Sequence, residues 1–170
     1  MIDPRTQSWL DQEDASLAQT IRRCGWCVQY VIGSTCADPA CGCGSNADDD
    51  PALAYTIGLF GMDHPELLIL GMPSETAFGV LNHLGERVRG GAALVPGQPL
   101  TFPAWPHRII PEEVPNPGEI LLVANRFYKR PAEFSVPALQ LSYDDLQGRF
   151  PWEPEYSEPS RQPRPGTFWA

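Results

Sequence analysis

Nineteen prolines punctuate this 170-residue chain, and fourteen of them follow Gly91. That is about twice the usual proline frequency. Proline cannot donate to a sheet ladder, so such a distribution favours short edge strands and turns over a long regular sheet. The regular elements must lie mostly in the first half. A helix is expected over residues 10–24, where Leu10, Leu17, Ile21 and Cys24 recur at three- and four-residue steps. Acids Asp11, Glu13 and Asp14 crowd its start, Arg22 and Arg23 its end, and Gly25 follows as a C′ residue. Residues 26–32, rich in β-branched and aromatic side chains, read as a strand. Residues 52–59 and 66–72 read as two more, and the run Leu67 to Leu70 is continuous enough to be buried on both faces. A second helix is expected from Ser74, the N-cap candidate, to Arg89, with Ala77, Leu81, Leu84 and Val88 as its buried stripe.

The second half offers only short strand candidates, at 92–95, 100–102, 108–110, 119–123 and 138–143, with a helical turn at 124–129. Too few strands are followed by helices for a doubly wound parallel sheet. The expected class is therefore α+β: a small mixed or antiparallel sheet, or partial barrel, with one long helix packed on it plus an N-terminal helix. A single domain over residues 1–150, interrupted by a cysteine-rich insertion at 33–51, would carry a proline-rich extended tail at 151–170.

Charge and hydropathy exclude several functions. A net charge of −9 is the wrong sign for a phosphate-backbone footprint, so no nucleic-acid partner is expected, nor an anionic membrane surface. The first twenty residues contain acids and no apolar core, unlike a secretory signal, and no apolar run approaches the length of a membrane span. A cytoplasmic location is the expectation by elimination.

Three ordered stretches carry a resemblance. They are Ala54 to Leu59, His64-Pro65-Glu66-Leu67 with the following strand and Leu81-Asn82 helix, and Gly148 to Trp152 with Gln162-Pro163. With Gly25-Trp26 ahead of them, the chain resembles the bacterial domain-of-unknown-function family numbered 4262, over roughly residues 20–165. The resemblance implies no particular activity. The cysteines at 36–43 depart from the simplest members, so any cysteine chemistry would belong to this protein or a subgroup. A strand ending in a small polar turn, then a strand opening with Pro, then a helix, also looks like the core of flavin-binding split barrels. The matching helix start, Pro73 to Thr76, is uncharged or acidic, so a flavin is the weaker expectation.

Two groups of residues are chemical candidates. The five cysteines, Cys24, Cys27, Cys36, Cys41 and Cys43, form a C-x-x-C and a C-x-C pair with one between. In a reducing compartment such density suits a metal, with zinc the candidate, because four converging thiolates satisfy a tetrahedral ion and could order an insertion lacking a core. The spacing matches no standard finger or ribbon, and redox-labile or inert thiols are the alternatives. A thioredoxin-type role is disfavoured, since Cys24 and Cys27 close a helix rather than open one. The second group is Tyr55, Thr56, His64 and Glu66. His64 with Glu66 could form a general-base pair, and Tyr55 and Thr56 could contact a cofactor or substrate. The competing reading is a turn whose polar side chains satisfy backbone groups. His83 and His107 are lone histidines, and Trp105, Trp152 and Tyr156 either cover a pocket mouth or dock the tail. Asp48, Asp49 and Asp50 read as a solvated loop. The functional expectation is a zinc-stabilised domain binding a small molecule or protein partner. An enzyme using a His64/Glu66 pocket is the first alternative, and a flavin-binding protein the second.

Overall fold

A computed structural model describes residues 2–32 and 51–168. In chain order the elements are α1 (Pro4–Cys24), β1 (Cys27–Val31), β2 (Leu53–Ile57), β3 (Glu66–Leu70), α2 (Ser74–Arg89), β4 (Leu100–Phe102), β5 (Trp105–Glu113), α3 (Leu122–Phe127) and β6 (Ala138–Tyr143). The six strands form one open mixed sheet in the order β1-β2-β3-β6-β5-β4. Only β3 and β6 run parallel, pairing Glu66 with Ala138 and Leu68 with Gln140; every other neighbour is antiparallel. The α+β class with an N-terminal helix is as expected, while the sheet does not close into a barrel.

Alternation along the strands makes two cores. Ala54, Leu67, Ile69, Leu139 and Leu141 face α2, meeting Ala77, Leu81, Leu84 and Val88. Tyr55, Ile57, Leu68 and Ala138 face the opposite layer, where Leu121 and Ala124 of α3 and the half-buried Leu17 and Ile21 of α1 pack. β3 is therefore buried on both faces, which explains its unbroken apolar run. Trp26 locks the first strand to α2: its indole N–H donates to Asn82 Oδ1 at 3.0 Å and its ring lies on Gly85. A Cβ at Gly85 would come within 2.5 Å of the ring, so helix and indole can approach only because that side chain is missing.

Several sequence expectations need correction. α1 begins at Pro4, six residues earlier than the apolar spacing suggested, because Asp3 accepts from the Thr6 amide and Pro4 sits at the first helical position. Ser74 is the first residue of α2 rather than its cap; Pro73 holds the cap position without a side-chain bond. Residues 92–95 are not a strand. Leu94 is apolar because it enters the α2-side core, and the Ala92 amide donates back to Arg87. Residues 119–123 are not a strand either: Pro117–Glu119 make a 3₁₀ turn and α3 starts at Leu122, so Ile120 and Leu121 reach the other core from the junction between turn and helix. Short apolar runs do not distinguish strand from helix by periodicity. β5 is longer than expected, spanning residues 105–113 despite two prolines.

Residues beyond Pro151 turn back over the sheet. At the carboxyl ends of β3 and β6 the Gln162 side chain acts like a strand residue: its amide oxygen accepts from the Tyr143 N–H at 3.0 Å and its nitrogen donates to Tyr143 O at 2.8 Å. Gln140 Nε2 donates to Pro163 O and Arg161 donates to Gly71 O. Gly71 has φ +68° and lies directly against the Arg161 carbonyl, a position that no side chain fits.

Candidate functional site

The residues Tyr55, Thr56, His64 and Glu66 do not share one site. Thr56 and Glu66 do meet. Glu66, the first residue of β3, has 0 % exposure. Its carboxylate accepts from the Thr56 hydroxyl at 2.6 Å and from the amides of Gly58 at 2.8 Å, Phe60 at 3.1 Å and Leu59 at 3.3 Å. These amides open the 3₁₀ turn Leu59–Met62, whose Gly58 cap has no other side-chain acceptor among the described residues. Thr56 in turn accepts from the Leu67 amide at 2.9 Å, bridging β2 and β3. Burial pushes the Glu66 carboxyl above its ordinary range, opposed by these hydrogen bonds, which favour the ionised form.

His64 turns to another element. Leu94 N–H donates to its Nε2 at 3.2 Å, which leaves the ring proton on Nδ1, 2.7 Å from Pro65 O. Both ring nitrogens are thus engaged by backbone, and the imidazole ties the turn before β3 to the segment after α2. Tyr55 lies on the α3 face, where its hydroxyl accepts from the Val123 amide at 3.3 Å; burial pushes its phenol up to about 12. These four side chains satisfy neighbouring backbone groups, and none lines either cleft described below.

Cys24 ends α1, exposed, and Cys27 opens β1, half-buried; both are free thiols. Burial pushes the Cys27 thiol up, and Cys24 sits at the negative end of the α1 dipole. Four strand steps, about 13 Å, separate Cys27 from Val31, where the chain leaves β1. Cys36, Cys41 and Cys43 lie outside the described residues. Among the described residues no group of three or more His, Cys, Asp or Glu could hold a metal ion.

A different set of groups converges at the carboxyl ends of β3 and β6. A cleft of about 570 Å³ is lined there by His107, Tyr143, Asp144, Tyr156, Ser157 and Arg161, among others. β5 supplies His107 and the end of β6 supplies Tyr143 and Asp144; the segment carrying Tyr156 and Arg161 crosses above them. His107 Nδ1 lies 2.6 Å from Asp144 O, an acceptor, so that nitrogen carries the proton. Nε2 has no hydrogen-bond partner among the described residues. The Asp144 carboxylate takes the Arg108 amide at 2.8 Å and the Arg108 Nε at 2.7 Å, and its Oδ1 also lies 3.5 Å from His107 Nδ1, on the side of the ring away from Nε2. Arg161 is paired with Glu158 at 2.6 Å. Tyr143 donates to Leu70 O at 3.1 Å, and burial raises its phenol well above the ordinary range. The cleft thus offers aromatic walls, two neutralised charge pairs, the Asp145 carboxylate held by the Gln147, Arg149 and Ser157 amides, and one imidazole nitrogen uncommitted among the described residues.

Trp105 forms the far support of this wall, with its ring centroid 4.8 Å from His107 and 6.1 Å from Tyr143. It also borders a second, apolar groove of about 430 Å³, between α2 (Gly79, Val80, His83) and the β4–β5 hairpin (Phe102, Pro103). From the residues alone His107 reads only as a lone histidine. Its partner is not legible there, because only the β5–β6 register, which pairs Ile109 with Tyr143 and so sets Arg108 opposite Asp144, brings residue 107 within reach of the Asp144 carbonyl. The run Tyr143-Asp144-Asp145 at a strand end was the one available signal.

The fold and this cleft define an α+β protein with a ligand-sized opening at the carboxyl ends of its parallel strand pair, a common location for ligand sites in open sheets. The family model described as a domain of unknown function, DUF4262, matches residues 20–157. The chain belongs to that family. The match includes the Gly25-Trp26 lock and Gly148 to Trp152, and ends before Gln162. No curated protein and no solved structure matches the chain. No helix among the described residues is long and apolar enough to cross a membrane.

Proposed function

We propose that this protein binds a small molecule in the His107 cleft, with Nε2 of His107 accepting a hydrogen bond, or a proton, from the ligand. The observation that carries the reading is the division of labour on one ring: Nδ1 is consumed by Asp144 O, and Nε2 is left as a positioned lone pair beside Tyr143. A histidine oriented through one nitrogen and free at the other is the arrangement that recognition and general-base chemistry both use. The volume, about 570 Å³, suits a ligand of fragment to drug size. The ligand must bring a donor group, such as a hydroxyl or ring N–H, on a body flat enough to lie against the tyrosines.

The test is a screen of small hydroxylated and N–H-bearing aromatic compounds, read by protein NMR with the His107 ring resonances as reporter. Binders that shift those resonances and lose affinity in His107→Ala, while the variant melts within a few degrees of wild type, support the reading. Compounds that bind His107→Ala as tightly as wild type, or no binder in the cleft at all, refute it. Zinc held by Cys24 and Cys27 with ligands from outside the described residues is a separate, structural proposal, supported by two free thiols flanking one turn. Metal analysis of protein purified without added metal decides it, and a folded, metal-free chain ends it.

A further inference from the structure

The two edges of the sheet are built differently. β4 has three residues, pairs irregularly with β5, and lies between Pro99 and Pro103. Shortness, a bulge and flanking prolines are the devices that stop an edge from recruiting another strand. β1, at the opposite edge, has five residues in unbroken register with β2 and no proline, bulge or charge.

The phase of the ladder identifies which groups of β1 point outward. Gly71 N–H donates to Ala52 O at 2.8 Å, so the even-numbered residues of β2 turn toward β3. Leu53, Tyr55 and Ile57 therefore bond to β1, through Val31, Gln29 and Cys27. Val28 and Tyr30 are left with both amide and carbonyl directed away from the sheet. Among the described residues, the only groups bonded to those carbonyls are the side chains next in sequence: Cys27 Sγ at 3.8 Å from Val28 O and Gln29 Nε2 at 3.5 Å from Tyr30 O. Both contacts are too long to replace a ladder bond.

We propose that β1 is an assembly edge, and that it pairs with β1 of a second copy, antiparallel, about a two-fold axis at Gln29. That centre is set by the pattern of outward groups. Rotation about Gln29 brings Val28 of each copy against Tyr30 of the other, and the two pairs exchange four N–H···O=C bonds. Every outward group of both strands is used. The strand itself suits such a joint: the chain carries −9, yet none of the residues Cys27 to Val31 of β1 is charged. Two copies thus pair through strands that bring no like charges face to face.

Sedimentation velocity of the full chain, under reducing conditions over a concentration series, tests this. The expected species is twice the 18.8 kDa chain mass. Gln29 faces its own copy across the axis, so Gln29→Lys and Gln29→Glu should each weaken association roughly 5-fold by placing like charges opposite one another, and mixing the two should restore it. Val28→Pro removes an outward amide that the monomer's own ladder does not use, and should abolish the dimer. Thermal melts identify any variant that fails to fold. Hydrogen exchange of the wild-type Val28 and Tyr30 amides needs no variant: protection should rise with protein concentration. A wild-type chain that stays monomeric, a dimer that survives all three substitutions, or amides protected equally at every concentration overturns the proposal.

Discussion

Glu66→Ala is the sharpest perturbation the structure offers. The carboxylate is the shared acceptor of the Thr56 hydroxyl and the Gly58, Leu59 and Phe60 amides, all within 3.3 Å. Truncation removes all four bonds at a site with 0 % exposure. Each buried donor left without an acceptor costs about 1–3 kcal/mol. A water entering the vacated space would recover part of that, while release of a buried carboxyl from its desolvation returns a little more. A net loss of about 3–5 kcal/mol follows, a large fraction of the roughly 5–15 kcal/mol that holds a domain together. For a chain of this size that is a fall in Tm of roughly 6–20 °C. Urea denaturation monitored by far-UV circular dichroism measures it, compared with Thr56→Val, which removes one of the same bonds. The effects of Glu66→Ala and Thr56→Val should be less than additive, because both break the Thr56–Glu66 bond. A Glu66→Ala protein within about 1 kcal/mol of wild type would refute the reasoning. It would mean that the carboxylate is not the keystone of the turn and is free for other chemistry.

Other consequences are equally concrete. Burial raises the Tyr55 phenol from 10.0 to about 12, so its folded-state protonation stabilises fully below pH 10 and is lost as pH rises toward 12; alkaline unfolding should begin in that window, with a shallower pH slope in Tyr55→Phe. Gly85→Ala should destabilise by about 1–3 kcal/mol despite better helix propensity, because its Cβ would drive the Trp26 ring from Asn82; tryptophan fluorescence and a melt report both effects. Gln162→Leu keeps the bulk but leaves the Tyr143 amide and carbonyl unpaired, and should cost about 1–3 kcal/mol and speed proteolysis between Pro151 and Phe168. His64→Phe should loosen the segment around Leu94, seen as faster amide exchange there, with a stability loss of about 1–3 kcal/mol.

The elements that could be read from residues alone are those whose signal is local. α2, β4 and β6 have the expected bounds because periodicity, glycine stops and proline breaks are properties of a short window. β3 announced its double burial by an unbroken run of leucine and isoleucine. Where the signal was short, it misled: Leu94, Ile120 and Leu121 looked like strand residues because core burial selects apolar side chains whatever the backbone does. The polar cluster around His64 and Glu66 was visible as composition, yet its role depends on the direction of each hydrogen bond. Glu66 points at the amides of the turn that precedes it, and His64 at Leu94, thirty residues later. The His107 cleft was out of reach for a related reason. It joins the start of β5, the end of β6 and the segment near Tyr156, pieces that no sequence interval connects.

What the amino-acid order determined by itself was the α+β class, the acidic surface and the identity of the central strands, since each follows from interactions within a few residues or from simple sums of charge. Tertiary structure alone decided which nitrogen of which histidine is uncommitted among the described residues, which carboxylate is spent on backbone, and which groups of the β1 edge point away from the sheet. Those outcomes turn on register and on long-range pairing, where a shift of one residue exchanges one face of a strand for the other.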